Sequence, residues 1–431
     1  MKLLKSTSIA VLLLSATMPM QAFLINLFKP YDMMIHPYVD YATETIQAYA
    51  TVECGVSKAK AWNADGEVSS PLSIWTIGQC PAQNQRGLQM LEGFGVDSPI
   101  TQLLTKIDAN NNGERGNLNI MANLHLDVAG TGAFRYFFLE QCAVSLYLPF
   151  YRYRLTDLCI KDLTPQEDPP TPQDYRTHTF LTDPAVFVPT VRELGCFEVT
   201  NWERTGLGDI SLFFDWQRDF PQAKTFLKSV MVAARIGIVA PSGRHTDQDL
   251  IFAFPFGYDK SWAIPFGFTL ETLFAEYAYV GFDIELTQIF GQSGRERVHT
   301  AHDQTDLVLL GKGNVYRDPG IEQQYSIYAG LKNLPRGLNM RAVYQYRKHS
   351  TDTLSAYDNC INSAIANESN EASSLLDSTL HMAILRMDYD FSVLMDNPCV
   401  APQLELFARI PFNGKRAVGN TTIGFSLILD F

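Results

Sequence analysis

The last eleven residues, Thr421-Thr-Ile-Gly-Phe-Ser-Leu-Ile-Leu-Asp-Phe431, alternate along the chain. Ile423, Phe425, Leu427, Leu429 and Phe431 fall on one face, and Thr422, Gly424, Ser426 and Asp430 fall on the other. A period of two is the signature of a β-strand with one apolar and one polar face. Placed in a bilayer, such a strand presents its apolar face to lipid and its polar face to a lumen.

The same alternation recurs upstream, in Thr45–Ser57, Leu118–Val128, Phe134–Tyr151, Ile210–Trp216, Val230–Ile238, Trp262–Phe274, Tyr279–Phe290, Glu322–Lys332, Leu338–Arg347, Thr379–Phe391 and Leu404–Ile410. In Leu118–Val128 the leucines read as the lipid face, and Asn119, Asn123, His125 and Asp127 as the lumen face. In Thr379–Phe391 the parity of His381 against Arg386 and Asp388 reads as a bulge near Leu385. With the terminal segment the total is twelve, an even number as bacterial barrels require. The connections alternate in length. Short gaps at Ala129–Ala133, Arg218–Phe226, Ala275–Ala278, Asn333–Gly337 and Ser392–Val400 alternate with gaps at 58–117, 157–207, 239–261, 291–321, 348–378 and 413–417, all long but the last. The fold class expected is all-β: a transmembrane antiparallel up-and-down β-barrel of about twelve strands, with short periplasmic turns and long outer loops. A final strand that ends in Phe resembles the assembly signal of bacterial outer-membrane barrels. That resemblance implies an outer-membrane location, insertion by the barrel-assembly machinery and a signal role for Phe431.

Composition agrees. The 431 residues are 46% hydrophobic and 19% charged, with a net charge of −12. The mean hydropathy of −0.06 lies far from that of a helical membrane protein. The acidic balance argues against nucleic acid, which needs a basic face. Residues 1–22 carry Lys2 and Lys5 ahead of the apolar run Ile9–Leu14, the pattern of a secretory signal. The expected organisation is a signal peptide over 1–22, an N-terminal periplasmic or plug segment over 23–43, and the barrel over 44–431.

Gly206-Leu-Gly-Asp209, followed by Arg235, Gly237 and Pro241-Ser-Gly243, resembles the pattern of outer-membrane proteins from aromatic-compound degradation pathways, which are similar to the FadL-type transporter superfamily. The resemblance implies a plug segment inside the lumen, for which Phe23–Tyr41 is the candidate. It assigns no substrate residue.

The inward parity positions name the lumen candidates: Asp209, Asp215, Arg235, Glu271, Asp283, Glu285, Lys332, Arg341, Arg347, Arg386, Glu405 and Arg409. Acids dominate strands four to seven and bases strands eight to ten. Opposed walls of unlike sign would set a transverse field across a pore; the alternative is that these charges pair and fill the lumen. Seven cysteines in an oxidising compartment permit disulfides, and Cys159 with Cys196 brackets one outer loop as a candidate clip. Asp108–Gly113 matches the start of a calcium loop but lacks its closing Glu, so no metal and no cofactor are expected. Ser145, His125 and Asp127 are a conceivable hydrolase set without a nucleophile elbow. The function expected is a channel or porin-like transporter that passes a small solute across the outer membrane, with membrane lipid as surroundings. The alternatives are a non-conducting barrel with a surface-binding, adhesion or envelope-structural role, and a lipid-modifying enzyme.

Overall fold

The computed structural model describes residues 29–35, 46–76, 85–107, 117–163, 176, 179–180, 183–301, 304–334, 337–356, 370, 372–394 and 401–431. Twelve antiparallel strands close on themselves. They are β1 (Ile46–Gly55), β2 (Asn117–Leu139), β3 (Cys142–Asp162), β4 (Ile210–Pro221), β5 (Leu227–Ala240), β6 (Ala263–Phe274), β7 (Ala278–Ile289), β8 (Ile321–Leu334), β9 (Leu338–His349), β10 (Ser378–Asp390), β11 (Ala401–Lys415) and β12 (Thr422–Asp430). Each strand pairs with its neighbours in this order. The seam is β12 on β1, running from Gln47 opposite Asp430 to Gly55 opposite Thr422. Phe431 extends the seam through a bond from its amide to the Ile46 carbonyl, at 2.9 Å. Closure leaves no strand edge unpaired, which a bilayer demands because lipid offers backbone groups no partner.

The terminal strand faces as its alternation requires: Ile423 is 58% exposed and Ser426 is 0% exposed. Phe134, Tyr136, Phe214, Ile236, Phe268, Leu385 and Leu406 extend this apolar belt around the outside. The chain is a membrane-spanning β-barrel. Closed barrels with such a belt are the architecture of the bacterial outer membrane. No described helix is long and apolar enough to cross a bilayer.

Three readings of the strands are corrected. The Ala129–Ala133 stretch is not a turn. It runs inside β2, where Gly130 and Gly132 lie opposite Val52 and Ala50 of β1, and the turn falls at residues 140–141. The faces of Leu118–Val128 are also reversed. Leu118, Ile120, Leu124 and Leu126 point inward and are buried, while Asp127 points outward and pairs with Arg154 at 2.6 Å. Here β2 rises past the bilayer, so its outer face meets water and its inner face packs on the outer loops. A register shift between Leu126 and Val128 restores the lipid-facing parity below. Finally, β10 keeps its parity throughout: His381 faces outward, and the irregularity lies at His381/Met382, where β11 carries the extra Phe412.

The outer connections build a cap. Gln292–Arg297, Lys312–Asp318 and Thr353–Ala356 form a small sheet. Lys60–Trp62, Val68–Ser69 and Ala417–Gly419 form another. Helix α1 spans Pro99–Ile107 and α2 spans Pro184–Gly195, the latter capped by Asp183, whose carboxylate accepts from the Ala185 amide. Cys196 ends α2 in a left-handed turn, and Cys159 lies in β3 opposite Met121. Both are free, exposed thiols, so the expected Cys159–Cys196 clip is absent; Cys54 (exposed) and Cys142 (half-buried) are free as well. Strand pairing fixes one cysteine on the outer wall, and the helix C-terminus fixes the other elsewhere in the cap. Residues 1–22, the Asp108–Gly113 motif, Cys80, Cys360 and Cys399 lie outside the described residues.

Candidate functional site in the barrel lumen

The glycine-rich motif at the top of β4 sets the shape of the lumen. Asp209 does not line an open pore. Its carboxylate accepts from the Gly243 amide at 2.8 Å and the Tyr258 amide at 2.6 Å. These bonds turn residues 241–262 inward instead of outward. Gly257 sits at φ +156°, and a Cβ there would meet Asp209 Oδ2 at 2.0 Å. Glycine is therefore required where the loop passes the carboxylate. The loop carries Phe252, Phe254, Phe256 and Tyr258 into the barrel mouth, all buried. Phe254 packs edge-on against Tyr153, and Phe256 against Tyr151.

From the other side comes Lys29–Ile35, a run of turns rather than a strand. Lys29, Tyr31, Asp32, Met33, Met34 and Ile35 are each at most 1% exposed, so the segment fills the lumen around it. It is held by charge. Lys29 Nζ pairs with Glu285 at 2.9 Å and Glu322 at 3.2 Å. Asp32 pairs with Arg347 at 2.8 Å and accepts from Gln324 and Gln345 at 3.2–3.3 Å. Arg235 donates to the Tyr31 carbonyl at 2.7 Å and also pairs with Glu285. The two fillers meet: the Tyr31 and Tyr258 hydroxyls lie 3.0 Å apart, and Tyr258 donates to Glu322 at 2.9 Å.

Of the lumen candidates named from parity, Lys332 and Arg341 are half-buried and the rest are buried, and the opposed walls of unlike sign are not formed. Arg341 and Lys332 both reach Glu271, at 3.7 and 3.2 Å. Arg386 lies between Glu405 at 2.9 Å and Asp388 at 3.0 Å. Arg409 reaches Glu53 at 3.6 Å, and Asp283 accepts from Thr269 at 2.7 Å. Asp215 accepts from Ser145 at 2.5 Å, and Arg135 donates to the same hydroxyl at 2.9 Å. An unpaired buried ion costs several kcal/mol, so a closed lumen selects pairs over separated walls. Ser145 is therefore locked in a polar network near the periplasmic turn. His125 faces outward far up β2, so the conceivable hydrolase set is not assembled. Among the described residues no group of three His, Cys, Asp or Glu is placed to hold a metal.

Above the plug lies a vestibule with a cavity of about 190 Å³, lined by Trp75, Phe197, Phe252 and Phe254 with Arg297, His299 and Asp306 among its polar groups. Trp75 and Phe252 rings lie 5.7 Å apart. Arg297 braces the cavity by donating to the Leu309 carbonyl at 2.6 Å and to Asp249 at 2.9 Å. Burial pushes the Asp249 carboxyl up, but Lys312 and Arg297 beside it hold it below its ordinary value. His299 Nε2 lies 2.8 Å from Asp306, which also accepts from the Ser374 amide at 3.0 Å.

Lys29, Tyr31, Asp32 and Tyr258 were not singled out by strand parity, because none lies on a strand. Two signals could have found them: two opposite charges three residues apart within the apolar run 23–41, and the aromatic alternation of Phe252–Tyr258.

No family model matches the chain, and no curated protein matches it. Solved structures do. An outer-membrane channel from Pseudomonas putida F1 aligns with a TM-score of 0.47 at 10% identity, covering 91% of this chain and 99% of that one. The toluene transporter TodX of Pseudomonas putida aligns at 0.30 with 9% identity, over 96% and 95%. A FadL homologue of Pseudomonas aeruginosa aligns at 0.28 with 10% identity, over 96% and 99%. The assignment of the barrel rests on its own closure and belt.

Proposed function

We propose that this barrel is an outer-membrane channel for small solutes that rests closed and opens when residues 29–35 leave the lumen. One observation carries the reading. The lumen is filled by a segment that belongs to no strand and is held to the wall by side-chain ion pairs, chiefly Lys29 with Glu285 and Asp32 with Arg347. A wall that needed only filling could use its own side chains, as narrow barrels do. Here the wall presents unlike charges to a separable piece, and such a piece can be released without breaking a ladder bond. The aromatic vestibule suits a small solute with an apolar body and a polar edge, collected above the gate before passage. The filled cross-section also favours a second reading, a non-conducting barrel that acts through its outer loops.

Liposome swelling separates the two. Proteoliposomes bearing Asp32→Ala should swell in isosmotic solutions of small sugars several times faster than those bearing the unaltered protein. Equal rates, with equal amounts of inserted barrel, would leave the non-conducting reading standing.

A further inference from the structure

The lipid-facing wall of β8–β12 is not uniform. A depression of about 560 Å³ is cut into it. Ala329 and Ala342 lie side by side on β8 and β9 and make its low ground, with Ala408 on β11 beyond; Leu385 on β10 stands between Ala342 and Ala408, and Ile423 on β12 bounds the far side, both more than half exposed. Farther out on the same strands, directly above Ala342 on β9 and past Ile327 on β8, Ala383 on β10 and Ile410 on β11, come rings. Tyr325 stacks on Tyr346 at 6.2 Å, Tyr346 lies 4.9 Å from His381, and Phe412 lies 6.2 Å from Tyr344. Aromatic rings on a barrel exterior mark the boundary between hydrocarbon and headgroups.

One outward position beyond the rings, the charge turns positive. Lys348 and Lys415 flank Thr379 in register across β9, β10 and β11, and Arg416 follows. All three approach a single carboxylate, Asp377, at 3.7, 3.9 and 3.3 Å. Arg416 also feels the charge of Asp65. Lys348 and Lys415 remain 37% and 42% exposed, sharing that one acid. Three cations against Asp377 and Asp65 leave a local positive surplus at headgroup depth, which attracts an anionic headgroup. Six residues separate Ala342 from Lys348, roughly 20 Å along a strand at about 3.3 Å per residue. At a tilt of about 40° that is roughly 15 Å of depth, half of a hydrocarbon core.

We infer that this face holds one phosphate-bearing anionic membrane lipid, its phosphate between Lys348 and Lys415, its glycerol or sugar edge against the rings of Tyr346 and His381, and an acyl chain laid into the alanine-floored groove. Charge complementarity selects the headgroup, and the groove fixes the chain. Neither a neutral lipid nor a second copy of the barrel answers both features.

Native mass spectrometry of the full chain tests this, with dioleoylphosphatidylglycerol and dioleoylphosphatidylcholine as probes of identical acyl chains. The unaltered protein should retain one phosphatidylglycerol at least tenfold more tightly than phosphatidylcholine. Each cation at a lipid surface is worth about a fivefold change in affinity, so the K348Q/K415Q double variant should lose roughly 30-fold for phosphatidylglycerol. Lys228→Gln, on the exterior near the periplasmic turn where Lys228 pairs with Glu276, should change nothing. Ala342→Phe, which fills the groove, should weaken both lipids. Equal retention of the two lipids, or K348Q/K415Q binding unchanged, overturns the headgroup site. Unchanged binding in Ala342→Phe overturns the groove, and a lipid-free dimer that K348Q/K415Q abolishes assigns the face to a second copy.

Discussion

Replacing Asp32 with alanine should unlatch the plug. In the closed lumen Asp32 answers Arg347 at 2.8 Å, Gln324 and Gln345 at 3.2–3.3 Å, and the Met34 amide at 3.0 Å. Arg347 is 0% exposed. Removing one partner of such a pair costs about 3–5 kcal/mol, because Arg347 stays buried after losing its closest carboxylate. That cost is paid only while the segment is docked. Once residues 29–35 leave, water reaches Arg347 and the penalty lapses, so the docking equilibrium shifts by a factor of roughly 10² to 10⁴ toward release. The assay is alkylation of a Met34→Cys thiol, with the site resolved by peptide mass because Cys54, Cys159 and Cys196 are exposed in every variant. Met34 is 1% exposed, so the single variant should resist reagent. Asp32→Ala in that background should label at least a hundredfold faster. Replacing both charges, as Asp32→Leu with Arg347→Met, leaves no buried ion unanswered and should restore protection. Equal labelling with and without Asp32, in barrels of equal heat-modifiable mobility, would refute the latch.

Other consequences follow from the same geometry. Deleting Phe431 should lower outer-membrane insertion, read as the yield of heat-modifiable barrel, since it removes the last pairing across the seam. Tyr258→Phe removes the hydroxyl between Tyr31 and Glu322 and should speed Met34→Cys labelling by about tenfold, one buried hydrogen bond to a charged group being worth about 1.5 kcal/mol. Arg341→Gln removes one of the two cations that reach Glu271 and should lower the thermal transition of the barrel without exposing the plug. Glu296, on the outer hairpin, has its carboxyl raised by burial, with Arg317 opposing. A raised acid favours the protonated folded form, so its contribution is complete below the ordinary carboxylate range and lost as pH rises through the folded value. Glu296→Gln should therefore protect that hairpin from protease at pH 8 and leave protection at pH 4 unchanged.

What was legible in the chain was what a period of two can carry. The alternation of Thr422–Asp430 places Ile423 and Ser426 on their proper sides, and eleven of the twelve repeats each fall on one strand, while Phe134–Tyr151, read as a single strand, is the β2–β3 hairpin with its turn at residues 140–141. Parity also orients Glu285, Arg347 and Glu405 inward without contact information. It misread Leu118–Leu126 because the rule assumes lipid outside, and at that height the outside is water and the inside is loop. Partners were not legible. Glu285 meets Lys29 across 256 residues and Asp32 meets Arg347 across 315, and nothing local to either position encodes the other. Alternation names the wall, and the pieces folded into the lumen follow no alternation at all.

Single-channel conductance in a planar bilayer, comparing the full chain with a variant lacking residues 23–35, tests the channel reading most directly. The expected result is brief, rare openings for the full chain and a steady ohmic conductance for the truncated barrel. A truncated barrel that inserts with normal heat-modifiable mobility and stays electrically silent would contradict it.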